Sequence, residues 1–99
     1  GAALRRALAS PSPQVAGAAA DGAGVRGDTD LCAPLRARLT DPVPDVRYHV
    51  VHALLALGCL TAAERADLAG AEPDPDVAAL LAPRPVGGDP QRRPGDGVR

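Results

Sequence analysis

The sequence contains no Lys, Met, Phe or Trp, and only one Tyr, among its 99 residues. Without the largest apolar side chains, a core must be built from Leu, Val and Ala. Each of these buries little area, and apolar burial stabilises by only about 25 cal/mol per Å². A chain this short also buries a limited share of its surface. We therefore expect a modestly stable fold that gains from contact between neighbouring units.

Neither sign of charge dominates the chain. The net charge is −1, so no overall positive potential favours nucleic acid or an anionic membrane. The charge is uneven, because residues 59–83 carry five acidic side chains against Arg65, whereas residues 84–99 carry four Arg against two Asp. Such patches are ordinarily solvated faces, and a weak electrostatic docking surface is the alternative.

No long apolar run occurs either. No stretch reaches the roughly 18 residues of a membrane span, and no secretion signal is recognisable. We predict a cytoplasmic protein. The use of Arg for all eleven basic residues, with abundant Ala, Gly and Pro, is typical of a GC-rich bacterial genome. Because the chain starts with Gly and contains no Met, we expect it to be trimmed or part of something longer.

Only two cysteines are present, Cys32 and Cys59. They lack the Cys-x-x-Cys spacing and any companion cluster, and a disulfide framework in so short a chain normally uses more cysteines. We therefore expect two reduced, partly buried thiols.

A segment recurs along the chain with a period of 31 residues. Residues 4–15 align without a gap on residues 35–46, and Gly27 aligns on Gly58. A third, less regular copy includes Pro75-Asp76-Val77. A fixed period of roughly 20–50 residues is typical of stacked supersecondary units, none of which can bury its apolar face alone. The sequence therefore predicts a short helical solenoid.

Start and stop signals divide the repeated region into six predicted helices. They cover residues 2–9, Pro13 to about Ala23, a segment around Leu35 and Leu39, residues 44–57, 61 to about 70, and 75–82. Gly58 is the C-cap expected of the fourth helix. Thr61 and Glu64 have the spacing of a capping box at the start of the fifth. The second helix is predicted to be the weakest, because each of its glycines costs about 1 kcal/mol relative to Ala.

Residues 83–99 have a different composition from the repeats. They consist mainly of Pro, Gly, Asp and Arg, with Val86 and Val98 as the larger apolar residues. Such a segment cannot offset its ordering entropy by burial. We therefore divide the chain into a helical repeat domain, residues 1–82, and a disordered C-terminal tail.

The segment LTDPVPDVRYHVVHALLALG, residues 39–58, resembles the HEAT repeat. The family pattern has a Leu, an Asp, a turn Pro, then Val-Arg, small residues and Leu-Gly. The resemblance covers residues 3 to about 82 as three helical hairpins. It implies an all-α fold, namely a short right-handed α–α solenoid of about three HEAT-like hairpins.

The resemblance also suggests how the repeats are connected. In the family, the Asp of the turn and the Arg after Val join neighbouring repeats, and these positions match Asp41 and Arg47. The other copies depart from the pattern, with Ala16 and Ala78 at the Arg position and Ser10 at the first Asp position. We therefore expect a single connection of this kind.

HEAT-like proteins include scaffolds and adaptors, bilin lyases, a di-iron hydroxylase and DNA glycosylases. The resemblance implies a non-catalytic protein-binding scaffold or adaptor, the C-terminal part of a longer array. A HEAT-like lyase-type enzyme, or an accessory subunit of an enzyme, is the alternative. Since the chain has no phosphate-binding loop, nucleophile elbow or paired carboxylates, we predict no enzyme, no cofactor and no small-molecule substrate.

Metal and nucleic-acid sites are also not expected. The hydroxylase needs repeated His-Glu dipeptides, and none occurs here. His49 and His52 stand three residues apart on one predicted helix, but two ligands without a nearby acid make a poor metal site. A single Tyr and scattered Arg argue against nucleic-acid binding.

The strongest candidates for partner binding are Tyr48, His52 and Leu55. They share one arc of the fourth helix, opposite Val46 and Leu57, and the resemblance puts this helix on the concave face of the solenoid. Two interpretations carry equal weight. The three side chains either cover an adjacent repeat or bind a protein partner or peptide segment.

Overall fold

The computed structural model describes residues 2–82, and every regular element in that range is helical. The helices are α1 (Ala2–Leu8), α2 (Pro13–Arg26), α3 (Cys32–Arg36), α4 (Pro44–Leu57), α5 (Ala62–Ala71) and α6 (Pro75–Leu81), with a 3₁₀ helix at Thr29–Leu31. Consecutive helices pair as the hairpins α1–α2, α3–α4 and α5–α6. The predicted all-α fold, a short solenoid of three hairpins, is confirmed over these residues. The tail predicted for residues 83–99 lies outside the described residues.

The helix boundaries follow from local chemistry repeated at the same period. The second helix of every hairpin begins with a proline, where the missing N–H is not needed. Gly27 and Gly58 are the C-caps of α2 and α4, and they adopt φ values of 67° and 71°. That left-handed conformation favours glycine. The capping box of Thr61 and Glu64 is also present, as predicted.

Helix α2 is longer than predicted, ending at Arg26 rather than near Ala23. Its glycines explain the difference, because α2 packs closely on α4. A Cβ atom added to Gly24 would stand 3.3 Å from the Cα of Ala53, and one added to Gly17 would stand 3.2 Å from the His49 ring. The intrinsic cost of glycine is thus offset by tertiary packing, which supplies most helical stability in proteins.

Two apolar clusters hold the hairpins together. The larger cluster lies between the first two hairpins, and its centre is the contact of α2 with α4, which we call the first interface. The smaller cluster joins Val51 of α4 to Val77 and Leu81 of α6, and we call the contact of α4 with α6 the second interface. Helix α5 has no fully buried residue. Among the described residues, no helix has the length and apolarity needed to cross a bilayer.

The expectation of two reduced thiols is wrong, because Cys32 and Cys59 form a disulfide with a Cα–Cα distance of 6.1 Å. Cys32 begins α3, and Cys59 follows the glycine that ends α4. In an antiparallel helical hairpin the start of the first helix lies beside the end of the second. The fold therefore brings together two cysteines whose sequence spacing gave no indication of a pair.

Candidate functional site

Two arginines connect the turns of neighbouring hairpins. Arg38 donates from Nη1 to the backbone oxygen of Ser10 at 3.0 Å and from Nη2 to the carboxylate of Asp41 at 2.7 Å. Arg47 donates from Nη1 to the backbone oxygen of Asp41 at 2.7 Å, and from Nε and Nη2 to the carboxylate of Glu72 at 3.0 and 2.8 Å. Each arginine therefore links a turn carbonyl of one hairpin to a turn carboxylate of the next.

This arrangement differs from the single connection expected between Asp41 and Arg47. The two residues do meet, but through the backbone oxygen of Asp41, while its carboxylate pairs with Arg38. Glu72 was missed. The signal for it was present, because Glu72 stands 31 residues after Asp41, which itself stands 31 residues after Ser10. All three side chains accept the backbone N–H two residues later.

The pair of Arg47 and Glu72 is well shielded from solvent. Their side chains are 13% and 8% exposed. The bidentate geometry is the strong form of an arginine–carboxylate contact. The guanidinium of Arg47 lowers the pKa of Glu72, and Glu72 in turn raises the pKa of Arg47.

A second polar connection attaches α5 beside the disulfide. Arg36 binds the carboxylate of Glu64, with Nη1 2.5 Å from Oε2, and also donates to the backbone oxygen of Cys59. Arg36 and the backbone N–H of Thr61 together lower the pKa of Glu64 to about 2. Arg65 donates to the backbone oxygens of Leu80 and Ala82 at the end of α6. Because α5 has no fully buried residue, these polar contacts contribute much of its attachment to the neighbouring helices.

The structure separates the three candidates for partner binding. Leu55 is partly buried and packs against the cluster of the second interface, and Tyr48 packs there as well. His52 is exposed. Covering the adjacent hairpin therefore accounts for Leu55 and for part of Tyr48, whereas His52 remains on the surface.

Tyr48 and His52 come together in an open groove between α2 and α4. The groove has a volume of about 530 Å³. Its apolar lining consists of small side chains and one valine, namely Gly24, Val25, Ala53 and Ala56, and its polar lining consists of Asp21, Tyr48, His49 and His52. Val25 is 88% exposed. The His49 ring is fixed on one wall, with Nδ1 2.8 Å from Asp21.

Two further grooves of about 440 and 350 Å³ lie where α4 meets α6. Their acidic lining consists of Asp45, Asp74 and Asp76, and Ala79 and Leu80 add apolar surface. Tyr48 lines both of these grooves as well as the groove between α2 and α4. We call the lining of all three the groove surface.

The side chains of the groove surface do not form a set of metal ligands. Within residues 2–82, no cluster of three or more His, Cys, Asp or Glu side chains has the geometry to hold a metal ion. His49 Nε2 lies 3.9 Å from Asp45, and His49 and His52 both line the groove between α2 and α4. The pair of histidines noted in the sequence therefore does not converge with a third ligand.

Stacked helical hairpins with repeated caps and turn connections define the chain as an α-solenoid repeat protein. A family model of HEAT repeats matches residues 1–83, and the chain belongs to the HEAT repeat family, as the sequence resemblance predicted. Neither a curated protein nor a solved structure is significantly similar to the chain.

Proposed function

We propose that this HEAT-repeat chain is a non-catalytic scaffold or adaptor that binds an extended segment of a partner protein along the groove surface. The observation that carries the proposal is the position of Tyr48, which lines three adjoining grooves. A tyrosine that packs at one end and stays accessible at the other is a favoured contact residue in protein interfaces. His52 adds an exposed polar contact in the same groove, and Leu55 packs on the cluster of the second interface, as Tyr48 does.

The chemistry of the lining indicates what such a segment contains. Gly24, Ala53 and Ala56 leave room for apolar side chains of the partner at one end. Asp45, Asp74 and Asp76 provide negative charge at the other end, and no arginine lines the three grooves. A segment with one or two apolar residues followed by Arg or Lys fits this surface. Its affinity should fall with salt, because the acidic side chains are solvent-exposed or partly so.

The test compares two substitutions on one helix. Val25→Arg places a cation in the groove, and Val25 is exposed enough that the fold should be unaffected. Val15→Arg is the matched control, because Val15 is an exposed valine of α2 that does not line the groove. The intact chain serves as bait, captured proteins are identified, and their segments are titrated as synthetic peptides.

We expect Val25→Arg to weaken peptide binding at least tenfold and Val15→Arg to leave it unchanged. Tyr48→Ala combined with His52→Ala should abolish binding while the circular dichroism spectrum stays helical. Equal binding of one peptide by the wild type, Val25→Arg and the folded double variant would refute the groove surface as the binding site.

The cellular setting remains part of the proposal. We propose a bacterial origin, which the arginine-only basic composition supports, and a cytoplasmic location. The disulfide of Cys32 and Cys59 points the other way, because disulfides persist mainly in oxidising compartments. Trapping the thiols with an alkylating reagent in intact cells decides between the two. Reduced cysteines would support the cytoplasm, and a fully oxidised pair would contradict it.

A further inference from the structure

The two grooves between α4 and α6, which we call the acidic grooves, carry negative charge that no arginine of the described residues neutralises by an ion pair. Their lining includes Asp45, Asp74 and Asp76 and contains no basic side chain. The arginine ion pairs of the described residues are made with other carboxylates. Arg47, whose charge acts on Asp74, is itself paired with Glu72. Even after the ion pairs are counted, three carboxylates therefore line these grooves without an arginine partner.

Two of these carboxylates are open to solvent. The Asp45 side chain is 82% exposed, and Asp76 is exposed as well. The Asp45 carboxylate lies 3.9 Å from the His49 ring, which is beyond hydrogen-bond distance. The acidic grooves can therefore attract a segment that carries arginines, although each exposed contact alone is weak.

The lining of the acidic grooves changes character along α6. Asp76 stands in the first turn of the helix, whereas Ala79 and Leu80 stand near its end. A segment that leaves α6 at Ala82 and turns back along the helix therefore meets apolar surface first and carboxylates afterwards.

The tail, residues 83–99, presents the complementary chemistry in the same order. Val86 is its first larger apolar residue, and Arg92 and Arg93 follow in a run, from 90 to 95, that contains no acidic residue. The tail as a whole carries four Arg against two Asp. Its charge is thus opposite to that of the acidic grooves, and its apolar residue precedes its paired arginines.

The tail is also long enough to reach the acidic grooves. Arg92 stands ten positions after Ala82, and an extended chain of that length spans up to about 33 Å. Helix α6 has seven residues and is only about 11 Å long. A tether of this kind holds the arginines at an effective concentration on the order of millimolar. Contacts too weak to join separate molecules are therefore populated within one chain.

We propose that residues 83–93 fold back along α6 and occupy the acidic grooves, with Arg92 and Arg93 against the carboxylates. The contact is electrostatic and partly populated, because the segment has little apolar surface to bury. It exists without a partner protein. Its consequence for a partner rests on the proposed function, since an incoming cationic segment has to displace the tail.

Amide NMR spectra of the full chain test the contact from both sides. Arg92→Glu combined with Arg93→Glu should shift the amide signals of residues that line the acidic grooves and leave those of α1 in place. Conversely, Asp76→Asn should shift the amide signals of Arg92 and Arg93, and so should added salt. Asp67→Asn is the matched control, because Asp67 is an exposed carboxylate of α5 that does not line the grooves.

A synthetic peptide of residues 83–99 tests whether the tail occupies the grooves. Its affinity for the chain with both arginines replaced by Glu should be at least twofold higher than for the wild type, whose own tail competes. Equal or undetectable affinity for both chains, or tail amides that do not respond to Asp76→Asn, would overturn the proposal. So would shifts that vanish on dilution, because these would come from the tail of a second copy. None of these measurements uses a partner, so the contact and the proposed function can fail separately.

Discussion

The first and second interfaces use the same positions of the repeat with very different side chains. On α2 the positions that receive the next hairpin are Gly17, Ala20 and Gly24. One period later, on α4, they are Tyr48, Val51 and Leu55. The first interface is made by close approach of two helices, and the second by large side chains that fill the space between them.

The helices that meet at the two interfaces also differ in length. Helices α2 and α4 have 14 residues each, so close packing extends over several turns and builds the larger cluster. Helix α6 has seven residues and buries two of them. The third hairpin depends correspondingly more on the ion pairs of Arg47 with Glu72 and Arg36 with Glu64. The same repeat therefore gives a first interface with a large apolar cluster and a third hairpin that relies more on ion pairs.

The largest effect is expected from removing apolar volume at the first interface. Leu54 is fully buried, so Leu54→Ala should destabilise by roughly 2–5 kcal/mol through lost burial and a residual cavity. Leu81→Ala, at the second interface, should fall at the lower end of that range, because the short α6 can shift to close the gap. Arg47→Ala should also cost less than Leu54→Ala. Urea unfolding measures all three, and a wild-type midpoint for Leu54→Ala would contradict the packing.

The next effect concerns the hairpin that both interfaces share. The disulfide joins residues separated by 27 positions, and closing a loop of that length stabilises by about 3–4 kcal/mol in the chain-entropy model. Reduction of the wild type should therefore lower the melting temperature strongly. Cys32→Ser, Cys59→Ser and the double variant should all match the reduced wild type. A wild type whose melting temperature is the same with and without reductant would argue against the bond.

A smaller effect on stability is expected from a substitution that tests the close approach of α2 to α4. Gly→Ala in a helix ordinarily stabilises by up to about 1 kcal/mol. At Gly24 the added methyl would press on the backbone of Ala53, which cannot rotate away, so we expect a net loss of about 1–3 kcal/mol. Gly70→Ala in α5 is the control, because nothing lies within 4 Å of the added atom, and it should be neutral or stabilising. Stabilisation by both changes would mean that the first interface is looser than described.

The smallest effect is a dependence of stability on acid. Arg36 and Thr61 hold the pKa of Glu64 at about 2, and Arg47 lowers the pKa of Glu72, both below the ordinary 4.5. The unfolded chain therefore binds protons first as the pH falls. The stabilisation is complete above about pH 4.5 and is lost toward pH 2. Chemical unfolding at several pH values measures the loss.

Two variants assign this acid dependence to the third hairpin. Glu72→Gln and Glu64→Gln should each flatten the pH profile, whereas Asp67→Asn, an exposed carboxylate of α5, should leave it unchanged. A profile that is equally steep in all three variants would locate the acid-sensitive groups elsewhere.

Local signals in the sequence determined the helices and their repetition. Prolines at the first turn, left-handed glycines at the end and the Thr61 capping box act within a few residues, so they can be read without knowing the fold. The period of 31 residues then determined the solenoid, because equivalent units must stack to bury their faces. The same period contains the position of Glu72, but it lies in the third and least regular copy, where the pattern is weakest.

Only the tertiary structure determined which residues of neighbouring hairpins contact one another. Glycines lower the stability of α2 as an isolated helix, yet they make its closest contacts with α4. Whether a glycine destabilises the protein therefore depends on a helix that lies 31 or so residues away in the sequence. The pairing of Cys32 with Cys59 and the choice of Glu72 by Arg47 likewise depend on where hairpin ends meet. The helix pattern placed Tyr48 on one arc of α4. The packing of α6 buries part of this side chain at the second interface and leaves another part on the groove surface. The sequence pattern shows which residues share one face of a helix. Which residues pack against that face is determined only when the hairpins stack.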